Sequence, residues 1–213
     1  MAAVKICGVS TPEAVLAAKA GGARYVGLVF FPRSPRNVAP ALAAELVRLL
    51  PTGMRAVGLF VDPTDADLEA VIPRVPLDLI QLHGEEAPGR VTAIRDRFGI
   101  RVMKAIRVAT EADLAAVPAY AAVSDRLLFD AKPPPGLATL PGGTGLSFDW
   151  TLLAGRSWPK PWMLAGGLTP ENVAEAVRVT GAPEVDVSSG VEDRPGAKSP
   201  AKIEAFLRAA AGA

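Results

Sequence analysis

The chain is poor in the residues from which many functional sites are built. It has one cysteine, Cys7, and one histidine, His83, in 213 residues. A single cysteine excludes an intramolecular disulfide and any cysteine-rich zinc site. A single histidine excludes a histidine-rich metal centre, and the carboxylates fall in no recognisable ligand pattern. Neither sign of charge is in excess, with 23 lysines and arginines against 22 aspartates and glutamates. No basic surplus points to nucleic acid, and no block of like charge marks a tail or a membrane-surface segment. No run approaches the roughly 18 apolar residues of a membrane-spanning helix. A signal peptide is not expected, because Lys5 and Cys7 interrupt any apolar run and Pro12 soon follows. These absences predict a cytoplasmic protein that binds neither nucleic acid nor membrane.

What is plentiful is punctuation: 20 glycines and 20 prolines divide the chain into many short elements. Half of the residues are hydrophobic, enough for a sizeable core. No composition shift marks a boundary, so residues 1–213 are expected to form one domain. Short apolar runs at 3–7, 24–30, 55–61, 78–82, 101–106, 126–130, 161–165 and 184–187 read as strands. Stretches at 12–20, 40–50, 65–73, 86–98, 111–117, 149–155, 170–179 and 200–210 read as helices. Thr11-Pro12-Glu13, Thr169-Pro170-Glu171 and Ser199-Pro200 each offer a capping hydroxyl and a proline at the first helical position. The segment G-V-S-T-P-E-A-V (8–15) resembles G-G-L-T-P-E-N-V (166–173), as though one βα unit were used early and again late.

Strands without polar alternation suit a parallel sheet covered on both faces. Eight βα units fit either a compact (β/α)8 TIM barrel or an open doubly wound sheet. The unit count and the early–late similarity favour the closed α/β barrel. In a barrel the functional rim lies at the C-terminal strand ends. There this sequence places Cys7, Arg33 and Arg36, His83, Asp130 and Asp186. Glycines and hydroxyls gather after the last three strands, in Gly142-Gly143-Thr144-Gly145, Gly166-Gly167 and Ser188-Ser189-Gly190. Such loops hold a phosphate on main-chain N–H groups, which glycine lets approach closely. The long connection between Asp130 and Phe148 suits a functional loop. Arg33 is read as a solvated charge, Trp150, Trp158 and Trp162 as packing, and Pro133-Pro134-Pro135 as a stiff loop segment.

Taken in order, K-I-C-G (5–8), S-P-R (34–36), Q-L-H-G (81–84), G-G-T-G (142–145) with F-D-W (148–150), A-G-G-L (165–168) and D-V-S-S-G-V-E (186–192) span nearly the whole chain. On these motifs the sequence resembles the phosphoribosylanthranilate isomerase family of tryptophan biosynthesis. The resemblance implies a metal-free and cofactor-free (β/α)8 barrel, acting alone or as a homodimer. It would convert N-(5'-phosphoribosyl)anthranilate to 1-(2-carboxyphenylamino)-1-deoxyribulose 5-phosphate, an Amadori rearrangement. It assigns Cys7 as general base and Asp130 as general acid. It gives Arg36 the anthranilate carboxylate and places His83 and Asp186 along the substrate. The phosphate falls to Gly143, Gly145, Gly166, Gly167, Ser188, Ser189 and Gly190. Two positions depart from the family pattern. Leu146 stands where many relatives carry lysine, so that either Lys132 or Lys198 substitutes or no cation is needed there. Ser199 stands where aspartate is common, and serine is expected to cap the following helix equally well.

The chemistry needs these residue types. An acid must protonate the furanose oxygen, which requires Asp130 to hold a proton in apolar surroundings; Leu127, Leu128 and Phe129 supply them, while Lys132 opposes. A base must take a proton from carbon, which requires thiolate character in Cys7 and hence a positive environment. Lys5, two residues back on the same strand face, points into the barrel below the rim. Arginine matches a planar carboxylate bidentately. A ribulose-phosphate epimerase, with several histidines and a metal, does not fit one histidine. A catalytically silent metabolite-binding barrel has no use for both Cys7 and Asp130.

Overall fold

The computed structural model describes residues 1–134 and 142–213. Pro135 of the triple-proline run, and with it the middle of the long connection, lies outside the described residues. Eight parallel strands close into a barrel in chain order. They are β1 (Ala3–Cys7), β2 (Tyr25–Val29), β3 (Arg55–Phe60), β4 (Leu79–Leu82), β5 (Arg101–Val108), β6 (Arg126–Ala131), β7 (Trp162–Leu164) and β8 (Glu184–Val187). The helices are α1 (Pro12–Ala20), α2 (Pro40–Arg48), α3 (Asp65–Val71), α4 (Pro88–Phe98), α5 (Val117–Val123), α6 (Val173–Thr180) and α7 (Pro200–Ala211). No described helix is long and apolar enough to cross a membrane.

Alternation along each strand sorts side chains into two cores. Outward-facing Val4, Ile6, Val26, Leu28, Ile80, Leu127 and Val185 pack against the helices. Inward-facing Tyr25, Val57, Leu79, Met103, Leu128 and Met163 fill the barrel as a layer. Above them Cys7, Val29 and Leu59 form a smaller layer at the mouth. The tryptophans pack as expected: Phe129 lies 4.5 Å from Trp158 and 5.6 Å from Trp162, centroid to centroid.

Three expected helices differ in form. Residues 149–155 make only a 3-10 turn, Trp150–Leu153, opened by Asp149 accepting from Thr151 N–H and followed by Gly155 at φ 66°. The fifth helix is composite, a 3-10 segment over Glu111–Ala116 running into α5. Pro118 has no N–H to continue the ladder, so the helix restarts there. Helix α6 begins at Val173 rather than at Pro170. Asn172 Oδ1 accepts from Thr169 N–H at 2.8 Å while its Nδ2 donates to Gly167 O at 2.9 Å, so Thr169–Asn172 closes as a turn first. The likeness between 8–15 and 166–173 therefore ends before the helices start. At α7 Ser199 is the N-cap residue but its side chain makes no capping bond, so the expected cap is absent. A small hairpin, β9 (Glu192–Arg194) with β10 (Ala197–Lys198), follows β8 and has no counterpart in the sequence reading.

Candidate active site

The C-terminal mouth of the barrel opens into one cavity. Its lining includes Cys7, Arg36, His83, Asp130 and Asp186, and it is closed on one side by Gly142–Leu146, Ala165–Leu168, Ser188 and Ser189. The expected rim residues thus meet at one place. Gly190 is not among the lining residues. A Cβ there would sit 1.9 Å from Leu168 O, so its bare backbone is what lets the loops after β7 and β8 touch. Arg33 is exposed, as read.

Cys7 ends β1 with its thiol buried at the cavity floor. Lys5 lies one layer below, wholly buried, its Nζ 2.9 Å from Asp186 Oδ1 on β8. Burial pushes the Cys7 thiol up, Lys5 pulls it down, Asp186 pushes it up again, and the balance lies above the ordinary cysteine value. The expected cation is present beneath the sulfur, but burial outweighs it. Burial alone would push the Lys5 ammonium down; Asp186 and Cys7 more than offset this and leave it raised. Space for this group comes from Gly27 on β2, where a Cβ would lie 2.9 Å from Cys7 Sγ and 3.1 Å from Lys5 Nζ.

Asp130 stands on β6, three strands from β1 by way of β8 and β7, so the two groups flank the mouth without being diametrically opposed. Its Oδ1 accepts from Ala131 N–H at 2.9 Å, and its Oδ2 lies 3.0 Å from His83 Nε2. The other ring nitrogen of His83, Nδ1, lies 2.9 Å from the amide nitrogen of Gln81. Gln81 and His83 share the inward face of β4 and its extension, and both are buried.

Arg36 is aimed by the turn after β2, where Ser34 Oγ accepts from Arg36 N–H at 3.1 Å. Its stem crosses Gly8, where a Cβ would lie 2.7 Å from Arg36 Cδ. Its bidentate face is taken by a residue to which the sequence reading gave no role. Glu192 accepts from Nε at 2.7 Å and from Nη2 at 2.8 Å. Nη2 also donates to Gly143 O at 3.2 Å, which ties the G-G-T-G loop to the arginine. Gly142 and Gly143 lie so close over His83 and Arg36 that a Cβ would meet His83 Nε2 at 3.1 Å and Arg36 Nη1 at 2.4 Å.

Of the two candidate substitutes for the lysine replaced by Leu146, Lys132 pairs with Asp113 and lies half exposed, whereas Lys198 is buried behind the loop after β8. Lys198 Nζ donates to Ser188 O at 2.8 Å and to Glu192 Oε1 at 2.7 Å. Burial pushes its ammonium below the ordinary lysine value despite Glu192. Glu192 itself is pushed up by burial but held below the usual carboxylate range by Arg36 and Lys198. Gln81, Gly27 and Glu192 were missed, although each left a trace. Gln81 and Glu192 stand inside quoted motifs, and a glycine within a strand marks close approach of a neighbour.

A closed (β/α)8 barrel with polar and titratable side chains lining one cavity at the C-terminal mouth has the form of a TIM-barrel enzyme. The family model for N-(5'-phosphoribosyl)anthranilate isomerase matches residues 4–209. An N-(5'-phosphoribosyl)anthranilate isomerase from Rhodospirillum centenum is 67% identical over 208 residues, covering 98% of this chain and 97% of that one. Its counterpart from Paramagnetospirillum magneticum is 62% identical over 209 residues, covering 98% and 97%. The crystal structure of phosphoribosyl anthranilate isomerase from Thermotoga maritima superimposes with a TM-score of 0.87 at 37% identity, covering all of both chains. A phosphoribosyl anthranilate isomerase in complex with reduced 1-(o-carboxyphenylamino)-1-deoxyribulose 5-phosphate does so with a TM-score of 0.84 at 35% identity, again over both whole chains. The chain belongs to the phosphoribosylanthranilate isomerase family, the isomerases of tryptophan biosynthesis.

Proposed function

We propose that this chain carries out the Amadori rearrangement of N-(5'-phosphoribosyl)anthranilate by general acid and base catalysis, without a metal. Asp130 gives its proton to the furanose oxygen as the C1'–O bond breaks, leaving a Schiff base. Cys7, as thiolate, takes the proton from C2', and the resulting enolamine tautomerises to the ketone. The observation that carries the reading is that Cys7 and Asp130 reach one cavity from β1 and β6, with Arg36 at its edge. Lys5 beneath the sulfur favours the thiolate that burial opposes.

Arg36 meets the anthranilate carboxylate through Nη1, since Glu192 occupies its other edge. His83 and Asp186 line the sugar. The main chain at Gly143, Gly145, Gly166, Gly167, Ser188 and Ser189 holds the phosphate, while Gly190 serves by close contact between loops. Lys198 behind Ser188 supplies the positive charge that Leu146 lacks. The whole chain, 1–213, works as one domain in the cytoplasm. A Thermotoga maritima relative is described as dimeric, and light scattering decides between monomer and homodimer here.

The test is loss of phosphoribosylanthranilate fluorescence, with substrate made in situ and a chelator present. Wild type turns over, and Cys7→Ala and Asp130→Asn each fall by at least about 10²-fold. A folded but inert wild type overturns the proposal.

A further inference from the structure

We propose that Gly27 is a positioning residue: the side chain it lacks is what lets the Lys5 ammonium stand beside the Cys7 sulfur. This deepens the reading of Cys7 as the base and rests on it. Among the described residues only two glycines lie inside strands, Gly27 on β2 and Gly58 on β3. Neither has a positive φ, so neither serves a backbone shape that other residues avoid. What each supplies is space. At Gly58 apolar groups fill it, with Leu77 Cδ1 at 2.5 Å and Phe60 Cε2 at 3.0 Å from where a Cβ would sit. At Gly27 it is filled by Cys7 Sγ at 2.9 Å, Cys7 Cα at 3.0 Å and Lys5 Nζ at 3.1 Å.

The strands are not free to slide apart and make room. Cys7 pairs with Gly27 in the ladder, and Gly27 O accepts from Gly8 N–H at 2.9 Å and from Val9 N–H at 3.0 Å. These bonds fix the tip of β1 against β2. Asp186 Oδ1 holds Lys5 Nζ at 2.9 Å, and the lysine side chain is wholly buried. A methyl group added at Gly27 must therefore push the sulfur and the ammonium apart.

Few charges act on the sulfur. Lys5 lies on β1 itself, Asp186 on β8 and Lys198 on the hairpin after β8, while β2, from Tyr25 to Val29, carries no charged residue. Arg36, His83 and Asp130 line the same cavity. Burial and the Asp186 carboxylate push the thiol up, and of the two lysines that pull it down Lys5 is the stronger. Parting Lys5 from the sulfur leaves the upward push with little to oppose it. Gly27 thus serves the base through Lys5, without touching the substrate.

Cys7 is the only cysteine, so iodoacetamide reports one thiol in the intact protein. At pH 8 Gly27→Ala should be labelled about 10-fold more slowly than wild type. Methionine ends one atom short of the lysine Nζ, so Lys5→Met removes both the charge and the atom that the new methyl group would meet. The double variant Lys5→Met, Gly27→Ala should therefore be labelled within about 2-fold of the rate of Lys5→Met alone. A methyl group that merely blocked the reagent would slow the double variant further, and one that merely loosened the barrel would speed it. Either result overturns the proposal, as does wild-type labelling of Gly27→Ala. Should Gly27→Ala alone not fold, the double variant against Lys5→Met still decides. In turnover Gly27→Ala should lose about 10-fold in kcat with KM nearly unchanged, and the loss should shrink as rising pH restores the thiolate. An unchanged kcat also overturns it. Failure of the isomerase reading would show separately, as an inert wild type, because the labelling comparison does not depend on turnover.

Discussion

Lys5 and Asp186 are joined by a 2.9 Å ion pair across the seam where the first strand meets the eighth, one layer below Cys7. The pair is buried, so it acts on the sulfur with little screening by water. Lys5→Met removes the cation and leaves the Asp186 carboxylate beside the thiol, and both changes push Cys7 further up. At pH 8 iodoacetamide should label the variant about 10-fold more slowly than wild type. In wild type the labelling rate should still be climbing past pH 9.0, the ordinary value for the thiol. Equal rates in the two proteins would mean that the ammonium does not govern the sulfur.

Glu192 couples Arg36 to the loop after β8. Its folded-state pKa is depressed, so the unfolded chain takes up the proton more readily. The stability it contributes is complete above about pH 4.5 and is lost as the pH falls through the folded value. Urea midpoints of wild type and Glu192→Gln should therefore differ at pH 7 and converge towards pH 3. The variant should also show a raised KM, since Arg36 loses its bidentate anchor. A gap that stays constant with pH would refute the linkage.

Gly190 has no room for a side chain against Leu168 O. Gly190→Ala must separate the loops after β7 and β8, at a cost of about 1–3 kcal/mol. A lower Tm together with a higher KM is expected. An unchanged Tm would show that the contact is slack.

Lys104 points outward from β5 and pairs with Glu86 at 2.8 Å, both side chains being almost fully buried. The same glutamate accepts from Asp62 N–H and Gly84 N–H, so it ties three segments together. Lys104→Met strands a buried carboxylate and should destabilise by about 3–5 kcal/mol. The double variant Lys104→Met, Glu86→Gln keeps acceptors for both N–H groups and should recover most of that loss in urea unfolding.

The barrel was legible because its strands are buried on both faces and read as short apolar runs, and the rim followed from the strand ends. The form of the connections was less legible. Pro118 divides one helix, Asn172 delays another and Asp149 opens only a 3-10 turn, through local hydrogen bonds that periodicity does not register. The residues that hold the site were least legible. Glu192 meets Arg36 across 156 positions and Asp186 meets Lys5 across 181, and alternation tells only that a side chain points inward, not what it touches.

The seam between β1 and β8 also has a meaning in time. During synthesis Cys7, Arg36, His83 and Asp130 all emerge before β8 does. Asp186, Ser188, Ser189 and Glu192, which hold Lys5, line the cavity and anchor Arg36, come last. A growing chain therefore carries these side chains long before it can hold them in place. Because the ring closes through contacts of the greatest sequence separation, competence should arrive as one late event rather than by degrees.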